Sequence, residues 1–206
     1  MENYNIMLNT ALIIASGNAH KVKEFQKLLE GIPFDIHSAQ LAGGMPTVVE
    51  NGDSFAANAQ IKAEALHQNA PAGAWVLADD SGLEVNALAA APGIYSARYA
   101  GETASDSENV TKLLNELEGL PLNKRAARFR CVLCLIDDQG NISHYAGECQ
   151  GHIAIAPQGS AGFGYDPVFV PTGNKESFAQ LADTIKQQIS HRAQATEFLK
   201  QVLKEF

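Results

Sequence analysis

A short apolar run that breaks into a glycine turn and re-emerges as a helical stripe opens the chain, and this unit restricts the fold more than any other feature. Ala11-Leu12-Ile13-Ile14-Ala15 has the length and β-branched content of a buried strand. Ser16-Gly17-Asn18 is turn chemistry. From about His20 to Glu30, Val22, Phe25, Leu28 and Leu29 share one helical face, until Gly31 and Pro33 stop the helix. A strand feeding a helix in this way belongs to an α/β layer.

The rest of the chain extends that layer. Phe34 to Ser38 reads as a second strand, and a helix capped by Asp53 or Ser54 runs to about Asn69. Trp75-Val76-Leu77-Ala78 reads as a strand ending in Asp79-Asp80-Ser81-Gly82, with Leu83 to Leu88 extended beyond it. A helix follows from about Ser105 to Leu117. Arg128 to Ile136 and Ile142 to Glu148 form a hairpin around Asp137-Asp138-Gln139-Gly140. Gly151 to Ala156 and Val168 to Val170 read as further strands. A last helix spans about Ser190 to Phe206, with Phe198, Leu199, Val202 and Leu203 on one side. The expected fold is α/β: a mixed central sheet flanked by helices, in one domain over 11–206 with a loose extension over 1–10.

Charge narrows the partners. The net charge of -8 argues against a broad basic face for DNA or RNA. It leaves room for a small phosphate ligand, because a few local cations reverse the sign inside one cleft. No run approaches the roughly 18 apolar residues of a membrane span, and no basic region precedes Lys21 as a secretion signal requires. Cys131 and Cys134 form a C-x-x-C, but on an alternating strand an odd spacing puts them on opposite faces, against a metal or redox pair. A cytoplasmic protein is expected.

Several segments carry chemistry. Ser16-Gly17-Asn18-Ala19-His20-Lys21 sets backbone N–H groups and one ammonium at a helix start, which suits a phosphate and equally describes an ordinary helix start. Asn58 and Lys62 share a helical face, either as phosphate ligands or as solvated residues. Adjacent carboxylates at Asp79 and Asp80 suit a divalent cation held by oxygen ligands, with Glu50 as a further ligand, or a surface turn. Gly159 to Pro167 brackets Phe163 with glycines, so its ring can approach a nucleobase or serve as a core turn. Lys186 and the pair His191-Arg192 offer N–H donors that suit a purine 6-keto oxygen, though such pairs also occur on ordinary surfaces.

Taken in order, S-G-N-x-x-K, E-N-G-x-S-F-x-x-N-A-x-x-K-A, A-D-D-S-G-L-E-V, P-G-I-Y-S-A-R-Y-A-G, R-x-A-R-F-x-C-V-L, G-x-G-F-G-Y-D-P-x-F and S-H-R resemble the noncanonical purine nucleoside triphosphate pyrophosphatases, also called inosine triphosphatases or dITP/XTP diphosphatases. The likeness runs from Leu12 to Ala195. It implies an elongated two-lobed fold around an active-site cleft, a homodimer, Mg²⁺, and hydrolysis of ITP, dITP or XTP to monophosphate and pyrophosphate. It also implies that Ser16 to Lys21 hold the triphosphate, that Asp80 (with Asp79 beside it) is the base and a metal ligand, and that Ser81 touches substrate. Phe163, Gly164, Tyr165, Asp166, Lys186, His191 and Arg192 would bind the nucleotide, the last two reading the base. The family's metal-binding glutamate often stands where this chain has Val49, so the metal role passes to Glu50. Two other functions share these motifs: a pyrophosphatase for modified pyrimidine nucleotides, and a sensor that binds without cleaving.

Overall fold

A computed structural model describes residues 10–205. Residues 1–9 of the expected extension and Phe206 of the expected last helix lie outside them, while Thr10 opens the first strand. Six strands form one sheet: β1 (Thr10–Ile14), β2 (Phe34–Ser38), β3 (Trp75–Val85), β4 (Ala126–Ile136), β5 (Ile142–Ile153) and β6 (Phe169–Pro171). Their order is β2-β1-β3-β4-β5-β6. β1 pairs in parallel with β2 and β3, and the remaining pairs are antiparallel, so the sheet is mixed as expected. The helices are α1 (Ala19–Leu28), α2 (Phe55–His67), α3 (Asp106–Glu116), α4 (Asp183–Ile189) and α5 (His191–Leu203). None of them is long and apolar enough to cross a membrane.

Alternation along the strands sends apolar residues to both faces. Leu12, Ile14, Trp75 and Leu77 pack with Phe25 of α1 and with Leu199 and Leu203 of α5. Ile13, Val76 and Ala78 pack on the other face with Ala59, Ala63 and Leu66 of α2. Cys131 belongs to the first cluster and Cys134 to the second, the opposite-face placement that their spacing implied. A third cluster surrounds the far half of the long strands, where Leu83, Val85 and Phe129 meet Val110 and Leu113 of α3 and Phe169 and Phe178. These cores make the two lobes, and β3 and β4 run through both.

The strand boundaries differ from expectation where charge masks pairing. β3 does not stop at the acids: Asp79 pairs across from Leu133 and Asp80 from Val132, and the strand continues to Val85. Cations on each face make a buried carboxylate tolerable in mid-strand, so the surface-turn reading fails. The two expected strands ending at Glu148 and starting at Gly151 are one strand, β5, because Gly147 and Gly151 stay in register with β4. The helix α4 went unread, its seven residues being too few for a periodic signal. In α5 the buried face is Ala195, Leu199 and Leu203, whereas Phe198 is exposed.

Two close approaches decide where the site can form. A Cβ on Gly147 would collide with the His191 carbonyl and the Ala195 amide, so the bare glycine lets α5 lie directly on β5. A Cβ on Gly82 would collide with the Gly93 carbonyl and Ser96 Oγ, so the 3-10 turn Gly93–Arg98 packs on β3 beside Ser81.

Candidate active site

The turn after β1 is held by its own side chains. Asn18 caps α1 and its Oδ1 accepts from the amides of His20 (2.9 Å) and Lys21 (3.3 Å), while Ser16 Oγ accepts from Asn18 N–H (3.1 Å). Those N–H groups are therefore spoken for, and an anion here meets mainly the Lys21 ammonium.

Successive residues of β3 point to opposite faces, which separates the two acids. Asp79 is buried and accepts from Lys21 Nζ at 2.6 Å and from Arg192 Nε and Nη2 at 3.2 and 3.0 Å. Burial pushes its carboxyl up, but Lys21, Arg192 and Lys62 outweigh that and hold it well below the usual carboxylate range. Asp80 faces α2 instead. Lys62 Nζ donates to it at 2.8 Å and to Glu50 at 2.9 Å, and Asn58 Nδ2 donates to it at 3.4 Å. Burial lifts the Asp80 carboxyl above its ordinary value, with Lys62 opposing. The adjacent acids thus play different parts, one a fully paired ion and the other a basic carboxylate in a polar recess.

Lys62 is buried rather than solvated, a placement that the i, i+4 spacing to Asn58 left open. Val49 is 76% exposed, whereas Glu50 turns inward to Lys62. Among the described residues no group of three or more His, Cys, Asp or Glu side chains is placed to hold a metal.

At the other end, Arg192 is almost wholly buried and its guanidinium is anchored on three sides. Besides Asp79, it donates to Ser81 Oγ (3.0 Å) and to Glu24 (2.8 Å). Four of its five donors are engaged, leaving one Nη1 N–H among the described contacts. His191 stacks on Phe129 with centroids 4.8 Å apart, and its Nδ1 is buried without a hydrogen-bond partner. Burial and the Arg192 charge keep its imidazole neutral, well below the usual histidine value. Phe163 stands at the cleft mouth against His20, with Lys186 Nζ 5.3 Å from its ring centre. Asp166 accepts from Lys186 Nζ (2.5 Å) and from Phe163 N–H (2.9 Å), so it fixes the loop. Tyr165 turns inward, its hydroxyl donating to the Ser96 carbonyl at 2.8 Å.

Two cavities share Asn18, Lys21, Ser81 and Ala97 and so form one cleft. The larger, about 420 Å³, is bordered by Ser16, Lys21, Glu50, Lys62 and Asp80. The smaller, about 150 Å³, is bordered by Phe163, Lys186, His191 and Arg192. One end is cationic and acidic, the other aromatic with hydrogen-bonding edges. Residues 12–202 match the Ham1 family.

The chain belongs to the Ham1 family.

Its relatives agree in extent. A dITP/XTP pyrophosphatase of Opitutus terrae is 48% identical over 190 residues, covering 89% of this chain and 94% of that one. The dITP/XTP pyrophosphatase of Bacillus subtilis is 41% identical over 191 residues, covering 93% of this chain and 96% of its own. A HAM1 protein from Coxiella burnetii superposes with a TM-score of 0.85 at 38% identity, covering 96% of this chain and 100% of that structure. A nucleoside-triphosphatase / dITP/XTP pyrophosphatase from Mycobacterium abscessus gives 0.74 at 36% identity, covering 92% and 98%. Within this Ham1 fold, sequence reasoning missed Glu24, which holds Arg192, and Arg98, which donates to the Glu50 carbonyl at 3.2 Å. The spacing of Glu24 three residues after Lys21 on one helical face was the signal available for it.

Proposed function

We propose that the chain hydrolyses noncanonical purine nucleoside triphosphates (dITP, ITP, XTP) to the monophosphate and pyrophosphate, clearing damaged nucleotides before they enter DNA or RNA. One observation carries the reading: Asp79 joins Lys21 of the cationic cavity to Arg192 of the aromatic one, so both ends of a nucleotide find partners in a single connected cleft. The relatives named dITP/XTP pyrophosphatases point the same way.

The donor set suits Mg²⁺. Asp80 and Glu50 supply oxygens on either side of the Lys62 ammonium, and a hard cation that keeps waters and shares phosphate oxygens needs no more than two protein carboxylates. When bound, the ion would lower the pKa of water and offset phosphate charge. The chain's own residues do the rest. Asp80, raised by burial, takes a proton from the water that attacks the α-phosphorus. Lys21 and Lys62 balance the charge that collects on the departing pyrophosphate. Phe163 stacks on the base, and a 6-keto oxygen meets the donors of Arg192 and His191. A 6-amino group would leave those buried donors facing another donor, which rejects adenine.

A homodimer in the cytoplasm completes the reading. Three free buried cysteines suit a reducing compartment, and exposed Leu41, Val49 and Tyr95 are apolar surface for a second copy to cover. The test sets ITP, XTP, GTP, ATP and TTP side by side in magnesium buffer, with pyrophosphate measured apart from orthophosphate. ITP and XTP should release pyrophosphate in preference to ATP and TTP, and Asp80→Asn should lower turnover by orders of magnitude with the fold intact. Near-normal turnover by Asp80→Asn, or orthophosphate as product, sinks the assignment.

A further inference from the structure

The loop that presents Phe163 is a glycine-rich tip in which the Asp166 N–H donates back to the Phe163 carbonyl at 3.3 Å. Gly162 and Gly164 both adopt positive φ (79° and 62°), a conformation that glycine takes without strain, so the ring sits between two tight turns. Two carboxylates fix this tip through successive amides. Asp166 accepts from Phe163 N–H, and Asp106 accepts from Gly164 N–H at 2.6 Å. Asp166 belongs to the loop itself and is shared with Lys186. Asp106 comes from a separate and well-braced element. It is the first residue of α3, whose start is closed by the reciprocal Ser105–Glu108 capping box and whose Asn109 side chain bonds Ala100 N–H and the Ala97 carbonyl. Val110 and Leu113 seat the same helix in the second lobe's core.

We propose that Asp106 is a positioning residue: it latches Gly164 to α3 and so sets the plane of the Phe163 ring against the base. This rests on the reading of Phe163 as the base platform. Asp106 is exposed and borders the aromatic cavity, so its charge is dispensable to the core yet adjacent to the ligand end.

The latch acts on the base end alone, and that separates it from general loosening. Asp106→Ala should raise KM for ITP about tenfold with kcat within about twofold, the loss expected for one charge-assisted hydrogen bond. Inhibition by tripolyphosphate, which lacks a base, should stay unchanged. Asp106→Asn keeps an acceptor oxygen and should restore most of the wild-type KM. Glu108→Ala breaks the neighbouring capping box and should lower Tm without moving KM. An unchanged KM in Asp106→Ala, an equal weakening of tripolyphosphate, or an equal KM rise in Glu108→Ala overturns the proposal. Failure of the functional reading would show instead as wild-type inactivity on ITP. The latch is then judged by amide exchange at Gly164, which must quicken in Asp106→Ala relative to wild type.

Discussion

Replacing Asp79 with asparagine distinguishes an ion that builds the site from one that reacts in it. The side chain is 1% exposed and bonds Arg192, itself 2% exposed, and Lys21 at 18%. Removing one partner of a buried ion pair leaves the other charge uncompensated and costs about 3–5 kcal/mol, against about 0–1 for an exposed pair. Arg192 keeps Glu24, and Lys21 can turn to water, so the lower end applies: about 3 kcal/mol. Trp75 is the chain's one tryptophan, sits in the core against Phe34, and reports unfolding directly. Urea titration followed by its fluorescence should show the midpoint of Asp79→Asn falling by about 1 M. The double variant Asp79→Asn with Arg192→Met should be less destabilised than the two single losses added together, since it removes both members of the pair. A loss below about 1 kcal/mol in the single variant, or strict additivity in the double, would refute the argument that Asp79 is a structural counter-ion.

Two further outcomes follow from the packing. Gly147→Ala should cost about 1–3 kcal/mol by overpacking and should also raise KM for ITP, because the new methyl must push the start of α5 off β5; an unchanged urea midpoint and KM would show that α5 does not depend on that contact. His191 is held neutral below its ordinary value near 6.5, so protons favour the unfolded chain, and the stability it contributes is present above pH 6.5 and lost as pH falls. Between about pH 7.5 and 5.5 wild type should lose more stability than His191→Phe; parallel pH profiles in urea melts would contradict a buried neutral imidazole.

Much of this was legible in the sequence because it is local. The β1 turn, the Ser54 cap, the helix start near Ser105 and the apolar stripe of α1 are set by neighbours within a few positions. What escaped depends on distant partners. Nothing near Lys62 reveals that Glu50 and Asp80 will bury it, and nothing near Asp79 reveals that residues 58 and 113 positions away will keep β3 continuous through two acids. The helix α4 was hidden by its brevity, yet it carries Lys186 to Asp166. The candidate residues themselves were found as an ordered set of motifs, while their division between the two faces of β3 required the pairing register.

The anchoring of Arg192 has a consequence for how such a chain matures. Asp79 and Glu24 lie in the earlier parts of the chain, but the cation that satisfies both arrives on α5, the last helix of the described residues. During synthesis Asp79 has only Lys21, made earlier, until α5 emerges and brings the Arg192 guanidinium to it and to Glu24. A chain truncated at Ser190 would lack both that guanidinium and the Ala195, Leu199 and Leu203 side chains that α5 adds to the first core, so the same helix that closes the ion pairs also closes the packing.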